Sequence, residues 1–359
     1  MSRMMGERVL IVNQGPDGHR LVYVRLLVDG VLARSGTPVL AMPRHGFDAP
    51  EFGLHLGDVA DRCVAERIPD ALLTPALVRR LAVRTRCDRV LVPDGDRFAI
   101  RLGVTGWRHG AELRVLVVQD PRWSDDPRPA QRLKMAVKRW SIARARRFPR
   151  VRVLCLADQR VAGSGSGENV ADPVVFDAGQ LDPSDLRQEF GLPPDRYLFV
   201  VVGAMSRRKN LPMVVRSVLS LADSKVGLFV CGQIGGPVRD EIAPLLRRAD
   251  RMDVPIVLSD RLHSDHELNR AIQAADCVVV AYCTSTPNSS MAKAALAGRR
   301  AVVVGSEHLR MWARNAGIDL TGPLEQSTLE ELMRRAVSLP APAPVPGADP
   351  RDFADSFLC

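Results

Sequence analysis

Residues 199–210 read FVVVGAMSRRKN, and this stretch has the features of a ligand-binding turn in an α/β fold. Its apolar, β-branched start predicts a buried strand that ends at Gly203, and the apolar spacing of residues 211–221 predicts that a helix follows. Glycine at a strand end lets the backbone approach a ligand, and the N-terminus of the following helix attracts anions. Arg208 and Lys209 would add positive charge for a phosphate. The alternative is a solvated basic turn between a strand and a helix.

The same alternation of strand and helix runs through the whole chain. Short apolar runs such as Val9–Asn13, Tyr197–Val202 and Cys277–Ala281 alternate with longer helical stretches. Near-continuous apolar strands indicate parallel sheets that are covered on both faces. We therefore predict an α/β protein with two Rossmann-like, doubly wound domains.

The domain boundary is predicted from a proline-rich stretch without helical periodicity, between Asn169 and Pro194. We assign residues 1–175 to a first domain and residues 176–339 to a second. Residues 340–359 are predicted to form a proline-rich linker and a terminal helix. A chain of 359 residues has room for two domains, because single domains usually contain about 100–200 residues.

Cysteine usage and apolar patterning indicate a cytoplasmic protein. The seven cysteines are scattered and form no C-x-x-C pair, which argues against a disulfide framework or a zinc site. The first apolar run, Val9–Val12, is too short for a secretory signal. No run approaches the roughly 18–20 apolar residues that cross a bilayer.

The net charge of +9 arises from one segment. Arg128 to Arg152 contains ten Lys or Arg residues and no acidic residue, so subtracting these ten from +9 leaves −1 for the rest of the chain. Helical spacing of apolar residues, including Trp140, makes the segment a candidate for peripheral binding to an anionic membrane at its inner face. An ordinary solvated helix is the alternative. With 5% aromatic residues the chain does not favour nucleic-acid binding.

Two loops of the first domain follow predicted strands and hold candidate ligand-binding residues. In the first loop, Gly15 and Gly18 would admit a substrate and His19 would bind it, or the loop is only a strand-to-helix turn. A later loop contains Asp94 and Asp96. Carboxylates at the C-terminal end of a parallel strand lie where ligands usually bind, although either aspartate could instead cap the next helix. His19 and the two aspartates are the catalytic candidates.

Three stretches of the second half resemble bacterial family 4 glycosyltransferases, which are retaining enzymes with the GT-B fold. They are the G-x-x-x-x-R-K-N element at residues 203–210, the loop, helix and strand at residues 259–282, and the NSSMAKAALAG segment at residues 288–298. This resemblance implies a GT-B fold with an interdomain cleft, and transfer of a sugar from a nucleotide-diphosphate sugar. The nucleotide-sugar would be a substrate, so no cofactor is expected, and no metal.

The resemblance also implies roles for individual residues. Positioned cations and amides would stabilise the charge that develops on the donor diphosphate. The residues assigned to that diphosphate are Gly203, Arg208, Lys209, Ser289 and Ser290. Arg261 and Leu262 would line the nucleobase pocket. Because Lys209 follows a glycine turn, we expect its side chain to leave the turn without contributing to core packing.

The chain departs from the family at two carboxylates. The family usually carries a Glu-x7-Glu motif, and its positions are occupied here by Ser285 and Lys293. We predict a glycosyltransferase, with retention, whose unidentified acceptor is a cell-envelope glycan, a lipid-linked molecule or a small metabolite. A non-catalytic GT-B protein that binds a nucleotide or a partner is one alternative, which the missing carboxylates favour. A GT-B-fold sugar-nucleotide epimerase is the other, and the missing carboxylates argue against it.

Overall fold

The computed structural model describes residues 6–16, 20–70, 72–108, 110–118, 129–157, 168–179, 182–221, 225–283, 289–345 and 349–359. The chain divides into two compact units. Met1–Pro173 together with Ala348–Cys359 forms the first unit, and Val174–Gly347 forms the second. Each unit is a parallel sheet with helices, which confirms the predicted α/β fold class.

The first unit is built on one parallel sheet, which has seven strands in the described residues. They are β1 (Arg8–Val12), β2 (Thr37–Pro43), β3 (Val64–Ile68), β4 (Arg89–Val92), β5 (Glu112–Val117), β6 (Val151–Ala157) and β7 (Asn169–Ala171). Their order across the sheet is β3-β2-β1-β4-β5-β6-β7. The chain order reverses between β1 and β4, and the loops at such a reversal are the usual place for a ligand.

Helices pack on both faces of this sheet, because each face presents apolar side chains. They are α1 (Arg20–Ala33), α2 (Arg44–Phe47), α3 (Pro50–Leu56), α4 (Pro75–Thr85), α5 (Asp96–Thr105) and α6 (Pro129–Ala145), with a 3₁₀ turn at Ala60–Arg62. Gly103 of α5 lies so close to α6 that an added Cβ atom would be 2.3 Å from the carbonyl oxygen of Ser141. This close approach fixes which face of α6 points inward.

The second unit repeats the plan with a parallel sheet of six strands among its described residues. The strands are β8 (Tyr197–Val202), β9 (Val226–Cys231), β10 (Ile256–Ser259), β11 (Cys277–Ala281), β12 (Arg300–Val304) and β13 (Thr321–Gly322). The helices are α7 (Pro183–Glu189), α8 (Leu211–Leu219), α9 (Gly236–Arg251), α10 (Asp265–Ala274), α11 (Ser289–Leu296), α12 (Glu307–Asn315) and α13 (Gln326–Ser338), with a 3₁₀ turn at Arg207–Lys209. The order across the sheet is β10-β9-β8-β11-β12-β13. The reversal therefore lies between β8 and β11.

The pairing of β8 with β11 decides what can meet at the functional edge of the second unit. Phe199 lies opposite Cys277 and Val200 lies opposite Val278, and both strands are buried. Because the strands are parallel, the residues that follow Val202 and Ala281 emerge at the same edge of the sheet.

The last helix, α14 (Pro350–Leu358), packs on the first unit. Phe353 stacks on Tyr23 of α1 with ring centroids 5.2 Å apart, and Phe357 is fully buried in the same core. Arg34 of α1 forms an ion pair of 2.6 Å with Asp355. The terminal helix expected within residues 340–359 is thus α14, and its apolar face completes a core of the first unit.

Candidate functional site

The turn after β8, residues 203–210, is built around a glycine with a left-handed backbone. Gly203 has a φ angle of +81°, which residues with side chains rarely adopt. Its amide donates a 2.8 Å hydrogen bond to the carbonyl oxygen of Cys231 at the end of β9. A Cβ atom at Gly203 would lie 3.1 Å from the Nζ atom of Lys209. The glycine therefore leaves room for the ammonium group of this lysine.

Lys209 folds back into the protein rather than leaving the turn. Lys209 is 5% exposed, and its Nζ atom donates a hydrogen bond to the carbonyl oxygen of Val202. Burial, with a further contribution from the positive charge of Arg208, lowers the pKa of Lys209 to about 7. The expectation that no packing involves this side chain is wrong, because the absent Cβ of Gly203 opens a path inward.

The lack of an ion pair distinguishes Lys209 from other buried lysines. Lys138 and Lys293 are also buried, and they pair with Asp96 and with a carboxylate of α10, respectively. Within the described ranges, Lys209 has no carboxylate within ion-pair distance. A buried amine without a carboxylate is costly unless another anion compensates its charge.

Arg208 and Lys209 lie over the same aromatic ring. The guanidinium carbon of Arg208, whose side chain is exposed, is 5.5 Å from the ring centroid of Tyr282, and the Nζ atom of Lys209 is 6.0 Å from it. Tyr282 directly follows β11, so the pairing of β8 with β11 brings it to the turn. Sequence reasoning missed Tyr282, although an aromatic residue at a strand end, in the stretch that resembles the transferase family, was a usable signal.

The loop after β10 holds the two predicted nucleobase residues. Arg261 is exposed, and its guanidinium donates to Glu267 at 2.5 Å and to the carbonyl oxygen of Leu262 at 3.2 Å. Leu262 is half-buried. Burial acts to raise the pKa of Glu267, but hydrogen bonds from Arg261 and Ser264 outweigh it and hold that pKa at about 2. Glu267 is therefore an ionised anchor for Arg261, and it also completes the capping box of α10.

Backbone hydrogen bonds to the end of β9 place this loop near the β8 turn, since the amide of Gly203 donates to the carbonyl oxygen of Cys231 and the amide of Gly232 donates to that of Ser259. Burial raises the pKa of the Cys231 thiol to about 12, and the charges of Glu267, Arg261 and Lys209 also act on that thiol. Cys231 ends β9, which lies between β8 and β10 in the sheet. The two predicted donor regions thus lie at the same edge of the second unit.

The remaining donor candidates lie at the start of α11. Ser289 and Ser290 form the first residues of this helix and are half-buried, whereas Ser285 lies outside the described residues. Lys293, on the same helix, is buried and its Nζ atom lies 2.9 Å from a carboxylate oxygen of Asp265. An ammonium paired with a carboxylate therefore occupies the position that resembles the second glutamate of the family motif.

In the first unit, neither predicted aspartate caps a helix through its side chain. Asp94 forms an ion pair with Arg20, and Asp96 forms one with buried Lys138. Gly95, which has no side chain to offer, is the N-cap of α5. The capping alternative is corrected, because the amide of Gly95 bonds to the carbonyl oxygen of Leu116 and this contact sets where the helix begins. Asp96 serves packing with α6, which leaves Asp94 as the aspartate at the chain reversal.

A second carboxylate accompanies Asp94 at this edge. The hydroxyl of Tyr23 donates a 3.0 Å hydrogen bond to Asp172, which directly follows β7. Burial, Asp172 and then Asp94 all raise the pKa of Tyr23 well above its ordinary value. Helix α1 therefore contacts both aspartates, Asp94 through Arg20 and Asp172 through Tyr23, a grouping that sequence reasoning missed because these residues are far apart in the chain.

The loop after β1 is described only in part. Gly15 is buried, and its carbonyl oxygen accepts a 2.8 Å hydrogen bond from the side chain of Asn13. Gly18 and His19 lie outside the described residues. The described part is a tightly bonded turn at the end of β1.

Helix α6 presents an exposed apolar stripe within the basic segment. Leu133, Val137 and Trp140 are 67%, 46% and 54% exposed, and they recur at the spacing of one helical face. The guanidinium of Arg144 lies 5.6 Å from the Trp140 ring. Exposed cations flank this stripe, namely Arg132, Lys134, Arg139 and Arg147. In the described part of the chain, no helix is long and apolar enough to cross a membrane.

The sequence matches no protein-family model and no curated protein. Solved structures nevertheless resemble it along nearly its whole length. WaaG, a glycosyltransferase involved in lipopolysaccharide biosynthesis, matches with a TM-score of 0.65 and 14% identity, over 98% of this chain and 94% of that chain. HepE from Anabaena, in complex with UDP and glucose, matches with a TM-score of 0.61 and 13% identity, over 97% and 92%.

A putative UDP-N-acetylglucosamine 2-epimerase from Listeria monocytogenes matches as well, with a TM-score of 0.62 and 13% identity over 99% of this chain and 95% of that chain. At such identities the likeness establishes the fold alone. The chain has the GT-B fold, with two Rossmann-like units.

Proposed function

We propose that this chain is a glycosyltransferase, a divergent member of family 4, that moves a sugar from a nucleotide-diphosphate sugar to an acceptor with retention. The observation that carries the proposal is the β8 turn. Gly203 makes space for a buried lysine that has no carboxylate partner in the described residues, and Arg208 stands beside it. A diphosphate supplies the compensating charge that such a pair needs.

In this proposal the β8 turn stabilises the diphosphate leaving group. As the glycosidic bond breaks, negative charge grows on the diphosphate, and cations already held in place stabilise it more than they stabilise the substrate. Arg208 and Lys209 supply these cations, and the amides at the start of α11, at Ser289 and Ser290, add hydrogen-bond donors. Arg261 and Leu262 contact the base. We expect the reaction to proceed without a divalent cation, so a chelator should leave turnover unchanged.

The acceptor binds, in this proposal, at the carboxylates of the first unit. Asp94 and Asp172 accept hydrogen bonds, and sugar hydroxyls are donors that suit them. A cell-envelope glycan, a lipid-linked molecule and a small glycosylated metabolite all present such hydroxyls. We assign no catalytic base, since retaining transfer as implied by the family resemblance does not require one from a side chain.

UDP-sugars are the donors to test first, because HepE has been solved in complex with UDP and glucose. Incubation of the protein with a panel of nucleotide-sugars and acceptors should yield a glycosylated product and free nucleoside diphosphate. A binder without catalysis would retain the nucleotide and release nothing. The epimerase alternative, which a solved neighbour of the same fold keeps open, would convert the donor sugar to its epimer with no acceptor present.

We further propose that the chain works at an anionic membrane surface, which it contacts through α6. The apolar stripe of Leu133, Val137 and Trp140 would enter the interface, and the flanking cations would contact lipid phosphates. Each cation near such a surface contributes about 1 kcal/mol, so several together produce strong but salt-sensitive binding.

Sedimentation with liposomes tests the membrane proposal. The protein should bind vesicles that contain phosphatidylserine or phosphatidylglycerol, and it should be released as salt rises. Trp140→Ala should weaken this binding, whereas Val104→Ala, which alters another exposed apolar residue outside α6, should not. Equal binding to neutral and anionic vesicles, or no binding to either, would rule the proposal out.

A further inference from the structure

The end of β11 holds the β8 turn through three separate contacts. The side-chain amide of Asn210 donates a 2.9 Å hydrogen bond to the carbonyl oxygen of Ala281. The backbone amide of Cys283 donates a 3.2 Å hydrogen bond to the carbonyl oxygen of Arg208. Between these two contacts, the ring of Tyr282 lies within cation–π distance of Arg208 and Lys209.

Tyr282 is itself firmly placed. The residue is 6% exposed and its ring belongs to a core cluster of the second unit. Its backbone amide donates a 3.1 Å hydrogen bond to the carbonyl oxygen of Val304. Gly305 packs so closely against Tyr282 that an added Cβ atom would lie 2.9 Å from the carbonyl oxygen of Tyr282. The ring is therefore a fixed surface against which the two cations are placed.

A fixed ring counteracts the electrostatic repulsion between the two cations of the β8 turn. Arg208 and Lys209 are adjacent cations that repel each other, and one of them is buried. The face of an aromatic ring is electronegative and attracts both groups. In the absence of a bound anion, this attraction opposes the repulsion that would otherwise turn the two side chains apart.

We infer that Tyr282 is a positioning residue, which holds Arg208 and Lys209 together in the geometry that receives the donor diphosphate. This inference rests on the proposed function of the β8 turn and adds a residue to it. Tyr282 acts on the nucleotide through the cations. Diphosphate binding should therefore weaken as the negative charge on the ring face is reduced, even where the fold is intact.

The protonation of Lys209 gives an independent readout. Among the described residues, the groups that face its Nζ atom are the carbonyl oxygen of Val202 from β8, the guanidinium of Arg208 in the same turn, the thiol of Cys231 from β9 and the ring of Tyr282 after β11. The ring favours the charged ammonium. A weaker ring face should therefore move the pH above which binding declines to lower values.

A fluorination series at position 282 tests the inference with almost no change in shape. Tyr282→Phe keeps the ring, and 4-fluoro- and 3,4,5-trifluorophenylalanine at the same position cancel its negative face stepwise. UDP and inorganic pyrophosphate are titrated calorimetrically between pH 6 and 8.5, with thermal melts alongside. Phe190 takes the same fluorinated residues as a matched control, because its ring lies 5.1 Å from that of Phe229 and contacts no cation in the described part of the chain.

We expect Tyr282→Phe to bind UDP within about twofold of wild type, and the trifluoro variant to bind it about five- to tenfold more weakly. The pH at which UDP binding of the trifluoro variant is half lost should lie below that of the Phe variant. The Phe190 series should show no change in UDP affinity. Equal affinity along the 282 series would overturn the inference while leaving the proposed function intact. Failure of the wild type to bind either UDP or pyrophosphate would overturn the proposed function, and this inference with it.

Discussion

In the first unit, the residues that follow β4 and β7 at the carboxyl edge of the sheet include two aspartates, and in the second unit the turn after β8 presents two cations. Both sheets order their strands in the same way, with the chain reversal between the first and fourth strands of each unit. Asp94 and Asp172 mark this edge in one unit, whereas Arg208 and Lys209 mark it in the other. Since the backbone plan is shared, the side chains alone distinguish the edge where we propose that acceptor hydroxyls bind from the edge where we propose that phosphate binds.

The two edges also differ in how their charges are compensated. In the first unit Asp94 is paired with Arg20, so it is ready to accept further hydrogen bonds at little cost. In the second, Lys209 is buried with a carbonyl oxygen and a ring as neighbours. A buried charge of this kind lowers the free energy of unfolding, and a bound anion would recover the loss. This uncompensated charge is the reason why we propose that the donor diphosphate binds at the edge of the second unit.

Removal of both cations from the edge of the second unit should have the largest effect on turnover. The combined change Arg208→Ala and Lys209→Met should lower turnover at least about 1,000-fold, because each positioned charge acts mainly on the transition state. Arg207→Ala is the matched control, since Arg207 is 76% exposed and pairs with Glu241 at 3.4 Å. Initial rates with a UDP-sugar measure the effect. A double variant that kept a tenth of wild-type turnover would contradict the assignment.

The pH dependence of nucleotide binding should distinguish the edges next. Lys209 has a pKa of about 7 in the folded protein, so above pH 7 it loses the charge that attracts phosphate. UDP affinity should therefore fall as pH rises through 7, by up to about tenfold per pH unit. Calorimetric titration at several pH values measures this fall, which should be absent in Lys209→Met. An affinity that rises with pH would show that another group controls binding.

A change in the first unit should leave the nucleotide untouched. Asp94→Asn removes the partner of Arg20 and a hydrogen-bond acceptor, so the KM for the acceptor should rise about tenfold while UDP affinity stays constant. Steady-state rates with the acceptor found in the panel, together with UDP titration, measure both quantities. If UDP affinity fell and the acceptor KM did not, the carboxylate edge would have been assigned to the wrong substrate.

The fold was predictable from the sequence because its signals are local. The runs around Val9, Phe199 and Cys277 are apolar without interruption, and such runs indicate strands that are buried on both faces. The glycine and the basic pair after β8 were also visible, since both are contiguous with a strand. A long-range contact, such as α14 completing the core of the first unit, leaves no such local trace.

The site was predictable in its charges and not in its geometry. The path of the Lys209 side chain depends on the missing Cβ of Gly203 and on strands β9 and β11, which are distant in sequence. Tyr282 lies 73 positions after Lys209, and only the register of β8 with β11 brings them together. The local sequence therefore predicted the two cations, but it could not predict the distant residues that position them.

Lys209→Met, studied for stability and for binding in the same preparation, shows whether the buried lysine holds the donor diphosphate. Methionine keeps the buried volume and removes the charge, so the free energy of unfolding near pH 7 should rise by roughly 1–3 kcal/mol. This gain should shrink between pH 7 and 10.5. Over that range the folded wild type has lost the proton that its unfolded chain retains, and its stability therefore increases with pH.

The same variant should bind UDP about ten- to hundredfold more weakly, because a charge-assisted contact to phosphate is lost. Denaturant unfolding and calorimetric UDP titration of wild type and Lys209→Met supply both values. We expect Lys209→Met to be more stable than the wild type and to bind UDP less tightly. A folded Lys209→Met protein with unchanged UDP affinity would contradict it, and would remove the buried lysine from the donor site.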